Sequence, residues 1–430
     1  MLVSVEASGA LERRMRVEVP AQQIDSKVAE RLKRVGKTAR LEGFRPGKVP
    51  AKVIAKRYGP QVRQEVISEV MQSSYAEALQ KENLTPAGNP SIEPDQMDAG
   101  QDFSYVATFE VFPEFSLQGL DKIVIEVPDV NISDADVDQM LASLREQRGE
   151  WKTADKVAGE GDQVLVDFDG KIDGESIENG QGDNVPVVLG GGQMLPDFDA
   201  ALDGTKAGEE KTFDVAYPTD YPAEDLAGKT AQFSAVIKEV QVRELPEIDE
   251  DFAKAFGVED GSVETLRAEV EKNMHAELAT KTRADIKQQI LDQMIEHNPI
   301  DVPQSLVDQE AHTLQQDAMR RLGVTEHADA PPIDNFLPGA SRRVQVGLLM
   351  QEFLSSENIT LDRSRLEDKM RELFAGYDGD DELIQNYLQQ PQFVQQIEPM
   401  VLEDQAIEAL RAKGSETSKP IAFKAYMDAQ

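Results

Sequence analysis

The segment Gly43-Phe44-Arg45-Pro46-Gly47-Lys48-Val49-Pro50 brings together residue types that are unusual for a simple turn. Gly43 and Gly47 permit positive φ, Pro46 fixes its own φ, and Pro50 suits the first turn of a following helix. The result is a stiff loop carrying one aromatic ring and two cations. If exposed, Phe44 can enter an apolar crevice or stack on a base while Arg45 and Lys48 meet phosphates or carboxylates. The alternative is that Phe44 tucks back between flanking helices as a core residue, and spacing alone does not choose between the two. Composition excludes other chemistries. The 430 residues include no Cys and only four His, which removes disulfides, cysteine nucleophiles and Cys/His metal sites. No Gly-rich loop ending in Gly-Lys-Ser/Thr occurs, so ATP-driven cycling has no basis in the sequence, and no cofactor is expected.

Periodicity identifies the elements that must position this loop. Ile24, Val28, Leu32, Val35 and Ala39 recur at helical spacing before it. A second helix is expected to start near Pro50, break at Tyr58-Gly59-Pro60 and resume through Val62, Val66 and Val70. Met15, Val17 and Val19 alternate with Arg14, Arg16 and Glu18, and Phe103, Tyr105, Ala107, Phe109 and Val111 repeat the alternation, which predicts half-buried strands. Residues 1–112 therefore predict an α+β domain. Charge is segregated along the chain: residues 1–60 hold fourteen Lys or Arg against six Asp or Glu, whereas the whole chain carries a net charge of -35. Between Lys27 and Arg57, eleven cations face only Glu30 and Glu42. That cluster is either a positive face for phosphate or acidic protein, or a solvated helix surface.

Through Gly43, Phe44, Arg45, Gly47 and Pro50, in the pattern Gly-Phe-Arg-x-Gly-x-x-Pro between two helices, the chain resembles the trigger factor family of ribosome-associated bacterial chaperones. The resemblance implies that this loop docks beside the nascent-chain exit, with Phe44, Arg45 and Lys48 contacting a ribosomal protein and rRNA. Pro46 stands where family members often carry Lys. The exchange removes a charge and stiffens the turn, so affinity or its salt dependence is expected to differ.

Residues 113–149 read as a linker contributing to the chaperone domain, with Ser133 as N-cap, Asp136 three residues on, and Val137, Met140, Leu141 and Leu144 along the following helix. From 150 to 245 Gly and Pro become frequent, and strand-like pieces appear at 164–168, 185–189 and 232–242. Val164-Leu165-Val166-Asp167-Phe168-Asp169-Gly170, Val187-Val188-Leu189-Gly190 and Leu195-Pro196-Asp197-Phe198 resemble FKBP-type prolyl isomerases. The resemblance implies a pocket formed by Phe168, Ile177, Glu178, Val185, Met194, Leu195, Phe198, Tyr221 and Phe233. Each is equally compatible with ordinary core packing, and Val185 and Leu195 taken alone favour it. Leu195, Phe198 and Leu202 share one helical face, which points Phe198 to the pocket floor. Phe198 replaces a common Trp, Phe168 a common Tyr, and Ile177-Glu178 the usual Phe-Asp, so drug-type ligands are expected to bind poorly and turnover to be modest.

Beyond Pro246 the pattern is helical to the end, as at Leu366, Met370, Leu373 and Phe374, with breaks at Asn298-Pro299, Ala330-Pro331-Pro332 and 376–380. Seven of thirteen Met lie there; each suits either a permissive binding surface or plain core. The polar stretch from Gly414 is expected to fray. No apolar run reaches membrane-spanning length and the first residues lack a signal peptide, so a cytoplasmic protein is expected.

The fold class expected is thus multidomain α+β: an α+β ribosome-binding domain over 1–112, an FKBP-like β-rich middle domain over 150–245, and an all-α chaperone domain over 246–430. The resemblance implies an ATP-independent chaperone for nascent and unfolded polypeptides that also isomerises X-Pro bonds, with no membrane partner and a possible homodimer off the ribosome. Two alternatives remain open: a soluble isomerase whose flanking domains recruit clients away from ribosomes, and a pure chaperone with a vestigial pocket.

Overall fold

Alternation and helical stripes become four-stranded and five-stranded sheets with helices around them in a computed structural model. It describes all residues except 42–43, 45–48, 99, 173, 222, 224–225, 325–329, 375–380 and 430, and except the side chains of 178, 179 and 381–383. In chain order the strands are β1 (Leu2–Ala7), β2 (Glu12–Val19), β3 (Ser91–Gln96), β4 (Phe103–Glu110), β5 (Val124–Asp129), β6 (Glu150–Thr153), β7 (Gln163–Ile172), β8 (Glu175–Val188), β9 (Glu210–Ala216), β10 (Thr230–Glu244) and β11 (Ser415–Pro420). The helices are α1 (Ala21–Thr38), α2 (Ala51–Glu82), α3 (Asp134–Gln147), α4 (Pro196–Leu202), α5 (Glu250–Ala255), α6 (Val263–His297), α7 (Gln304–Leu322), α8 (Leu337–Ser356), α9 (Arg363–Phe374), α10 (Asp381–Leu388), α11 (Pro391–Lys413) and α12 (Phe423–Met427). The chain divides into two compact units, residues 1–127 with 284–418 and residues 128–283 with 419–430.

In the first unit, β1, β2, β4 and β3 form an antiparallel sheet in that order. Val17 pairs with Tyr105 and Met15 with Ala107, so the apolar members of both alternations share one face. Helices α1 and α2 cover it with Ile24, Val62, Val66, Val70 and Ala78. The expected break at Tyr58-Gly59-Pro60 does not occur: α2 runs 32 residues through Pro60. Pro60 lies on an exposed stretch with Lys56, whose carbonyl loses its amide partner there and can turn to water, while the buried stripe from Ile54 onward keeps the helix in register. At the far end of β4, the Glu110 carboxylate accepts the backbone N–H of Gln304 at 3.0 Å and of Ser305 at 2.8 Å, capping α7. Burial alone would push its pKa up, but the bonds from Ser305 and Gln304 outweigh burial and leave it below the usual carboxylate range.

The helical part of this unit packs around an extended segment. Ile123 and Ile125 are fully buried among Ile286, Ile290, Leu349, Phe353 and Leu410. Two side-chain amides of α6 imitate a neighbouring strand: Gln293 accepts from the Val124 N–H at 2.9 Å and donates to its carbonyl at 2.7 Å, and Gln289 does the same to Glu126 at 2.8 and 3.0 Å. Of the seven Met beyond residue 246, Met274, Met294, Met319, Met350 and Met370 are buried core, whereas Met400 is 43% exposed. The Met-rich surface is therefore mostly interior. The break at 376–380 lies outside the described residues. No helix among the described residues is long and apolar enough to cross a membrane.

In the second unit, β6, β10, β7 and β8 form an antiparallel sheet in that order, with β9 pairing β10. Periodicity anticipated β7, the end of β8 and β10; β6 and β9 are short and went unread. Helix α4 packs Phe198 and Leu202 into the sheet's core. Beside it, Val137 and Leu141 of α3, Phe252 of α5, and Leu266, Val270 and Met274 of α6 form a second core. Ser133 caps α3 as expected, its N–H bonding the Asp136 carboxylate at 2.9 Å. The expected fraying after Gly414 is not found: β11 pairs with β5, and Phe423 of α12 is buried with α3 and α5. Apolar Phe423, Tyr426 and Met427 at helical spacing supply the burial that a polar reading of this stretch overlooked.

Candidate functional site

Helix α4 is only seven residues long, with Leu195 as N-cap and Pro196 in the first turn. Its inward residue, Phe198, is 3% exposed and meets three rings edge-on: Phe168 at 5.4 Å, Phe233 at 5.4 Å and Phe213 at 5.1 Å between centroids. Edge-to-face contacts of this kind lock the rings beyond what area burial does. Over them opens a cleft of 410 Å³, lined by Phe168, Met194, Leu195, Phe198, Tyr221 and Phe233 together with Gly180, Gly192, Gln193, Val215 and Tyr217. Six of the nine residues singled out in the sequence thus come together. Ile177 and Val185 are partly buried against the same core without lining the cleft. Glu178 lies in β8, and its side chain is outside the described residues.

Two glycines let the rings close up. A Cβ on Gly170 would stand 2.5 Å from the Phe233 ring, and one on Gly182 would stand 2.9 Å from the Phe168 ring. Phe213, Val215 and Tyr217 were missed in the sequence. Phe213 and Val215 alternate along β9, and Tyr217 precedes Tyr221 by four residues, so a period-two reading of 211–217 would have found them. Tyr217 and Tyr221 meet edge-on at 4.8 Å. Burial, and then the neighbouring Tyr221, push the Tyr217 hydroxyl's pKa up, so it stays protonated at neutral pH. Among the described lining residues there is no carboxylate, imidazole or amine. The cleft offers apolar walls and hydroxyl donors, suited to a compact apolar group with a carbonyl beside it.

The second candidate is the loop between α1 and α2. Phe44 is 40% exposed, with its N–H bonded to the Leu41 carbonyl at 3.1 Å. Gly43, Arg45, Gly47 and Lys48 lie outside the described residues. Pro50 is the exposed N-cap of α2, its carbonyl accepting from Val53 at 2.9 Å. Several cations of the two helices are paired: Arg31 with Glu69 at 2.5 Å, Arg34 with Glu30 at 2.8 Å and Arg63 with Asp25 at 3.1 Å. Lys33, Lys37, Arg40, Lys52, Lys56 and Arg57, which flank the loop in sequence, have no ion-pair partner among the described residues. No group of three or more His, Asp or Glu among the described residues is arranged to hold a metal. In the helical part, a groove of 1040 Å³ includes Leu291, Val346, Met350, Leu354 and Met400, with Arg342, Arg343, Glu398 and Glu403 also along it.

Comparison with known proteins accords with this layout. The family described as "Bacterial trigger factor protein (TF)" matches residues 1–144 and its "C-terminus" matches 262–412. "FKBP-type peptidyl-prolyl cis-trans isomerase" matches 154–242. Relatives named trigger factor include that of Thioalkalivibrio sulfidiphilus, 44% identical across 100% of this chain and 98% of the relative. That of Alkalilimnicola ehrlichii is 44% identical across 100% and 96%, and that of Pseudoalteromonas atlantica 42% across 100% and 100%. A solved structure, described under "Promiscuous Substrate Recognition in Folding and Assembly Activities of the Trigger Factor Chaperone", aligns over 95% of this chain and 99% of its own, at 17% identity and a TM-score of 0.49. With full-length relatives above 40% identity and an FKBP-type domain set between its two terminal matches, the chain belongs to the trigger factor family.

Proposed function

We propose that this protein is an ATP-independent, ribosome-associated chaperone of the cytoplasm that receives nascent and unfolded polypeptides and isomerises their X-Pro bonds. Residues 1–112 would bind the ribosome, 113–149 and 246–430 hold clients, and 150–245 perform isomerisation. Phe44 and the loop residues Gly43, Arg45, Gly47, Lys48 and Pro50 form the docking site. The observation that carries the reading is the exposure of Phe44, an apolar ring outside the core between Lys37 and Arg40 on one side and Lys52 and Lys56 on the other, which have no ion-pair partner among the described residues. Such a surface suits rRNA phosphates and a protein crevice together.

In the cleft, an X-Pro bond must cross a barrier of about 18 to 20 kcal/mol set by amide resonance. A pocket that strips water from the prolyl carbonyl and fits the twisted amide better than the planar one lowers that barrier without a nucleophile or base. Phe198 forms the floor under the prolyl ring, with Phe168 and Phe233 beside it, and Tyr221 donates its hydroxyl to the carbonyl. Met194 and Leu195 close the rim, while Ile177 and Val185 are assigned to the supporting wall rather than to prolyl contact.

Pelleting with ribosomes tests the docking site. The wild-type chain should co-sediment at low salt, and Phe44→Ala combined with Arg45→Ala and Lys48→Ala should abolish pelleting while leaving the circular dichroism spectrum unchanged. A wild-type chain that never pellets would refute ribosome association.

A further inference from the structure

Three consecutive residues of α4 do three different things. Phe198 points inward as the cleft floor. Asp197 and Asp199 lie about 100° to either side of it around the helix. Each accepts a backbone N–H from a different strand exit: the Asp197 carboxylate from Ala216 at 3.1 Å, and the Asp199 carboxylate from Gly190 at 3.2 Å. Ala216 ends β9 and is followed directly by Tyr217, which lines one side of the cleft. Gly190 opens the segment that leaves β8 and supplies Gly192, Gln193, Met194 and Leu195 to the cleft.

We propose that Asp197 and Asp199 are positioning residues that bracket the cleft, fixing the Tyr217 rim and the Gly192–Leu195 rim at a set distance across Phe198. The inference rests on the isomerase reading and deepens it. The glycine-rich rim is held at its two ends, Leu189 bonding Gly161 and Asp162 at 2.9 Å each and Leu195 accepting from Phe198 and Asp199, but between them Gly190 and Gly192 adopt φ of +77° and +68°, conformations that glycine takes freely, and neither has a side chain to interlock with a neighbour. One further bond, Gly191 N–H to the Val188 carbonyl at 3.1 Å, only turns the chain back on its own strand. Charge-assisted bonds to backbone amides are stronger than neutral ones, and both start from the helix that carries the floor. A shift of α4 would therefore move floor and rims together. Among the described residues the second Asp199 oxygen, Oδ1, is buried with no hydrogen-bond partner, and the Gly190 bond is made by the other oxygen. Loss of a bracket leaves the aromatic floor intact and lets one rim spread, which weakens capture of the planar substrate more than it slows a substrate already seated.

The test uses the full chain and an X-Pro peptide whose exchange is followed by NMR at several peptide concentrations. Asp197→Ala and Asp199→Ala should each raise KM about fivefold with kcat changed less than about twofold, the size expected for losing one charged hydrogen bond in a partly exposed site. Asp197→Asn and Asp199→Asn, which keep an acceptor oxygen, should recover most of the loss. Hydrogen exchange should quicken at Gly190 only when Asp199 is changed, and at Ala216 only when Asp197 is changed. If an Ala variant does not fold, the corresponding Ser variant, polar but too short to reach, takes its place. Ala variants with unchanged KM, or Asn variants as impaired as Ala, overturn the bracket. A wild-type chain with no measurable turnover overturns the isomerase reading itself, which separates the two failures.

Discussion

Phe198 and Phe44 are the same residue in opposite circumstances: one is 3% exposed among three other phenylalanines, the other 40% exposed between two helices where Lys37, Arg40, Lys52 and Lys56 have no ion-pair partner among the described residues. The first site is concave, made of sheet and helix side chains, and neutral in its described lining. The second, as far as it is described, is a single exposed ring between two helices that are rich in cations. Under the proposed function, recognition at the first would rely on removing water, which salt barely touches, and recognition at the second on phosphate contacts, which salt screens. One chain thus holds two apolar anchors whose responses to the same change of buffer should diverge.

The sharpest break in that comparison is Phe198→Ala, which should lower kcat/KM for an X-Pro peptide more than tenfold. It should also destabilise the isomerase region by about 3 to 5 kcal/mol, as large core truncations do. NMR exchange and thermal melting read the two effects, and Phe198→Leu, which keeps volume, should lose activity with less stability. Next in size, Phe44→Ala alone should weaken ribosome pelleting about tenfold or more, in line with removing one desolvated aromatic anchor. Residual pelleting should fall further as salt rises, while isomerisation by the same variant remains at the wild-type rate throughout. Tyr221→Phe should then reduce kcat/KM about three- to tenfold, the worth of one hydrogen bond to a developing charge distribution, with no change in melting temperature.

The smallest effect concerns neither anchor. Glu110 has its pKa depressed in the folded protein, so its contribution to stability is present above the unfolded carboxylate value and is lost as pH falls through the lower folded value. Glu110→Gln should cost about 1 kcal/mol at neutral pH, as for loss of a helix cap, and flatten the part of the acid-unfolding curve that lies below the ordinary carboxylate range. Melting temperature measured from neutral to acid pH checks both.

The two sites were also unequally legible. The loop stood out in the sequence because its glycines, proline, aromatic and cations are contiguous, although the residues alone left Phe44 either exposed or core, and it is exposed. The cleft is assembled from β7, β8, α4, β9, β10 and the connections between them, so its membership depends on which strands pair, a fact that local periodicity does not carry. Val215 and Tyr217 of its lining, and Phe213 that packs on Phe198, were therefore missed, although each sits at an ordinary alternation position. Ile177 and Val185, expected at the pocket from the resemblance, are partly buried against the same core and are not among the residues that line the cleft. Length misled in the other direction: Pro60 and the polar residues after Gly414 suggested endings, but burial on α2 and the pairing of β11 with β5 continue the structure past both. Local signals mark where a chain is free to stop, and tertiary packing decides whether it does.

The paired glutamines on α6 have a consequence for the segment they hold. Because each amide grips both the donor and the acceptor of a single residue, at Val124 and at Glu126, sliding that segment by one position would present the wrong edge of the backbone and forfeit all four bonds at once. The joint is a two-tooth ratchet made of uncharged parts. Acid that loosens the Glu110 cap, or salt that loosens the docking loop, would leave its alignment untouched.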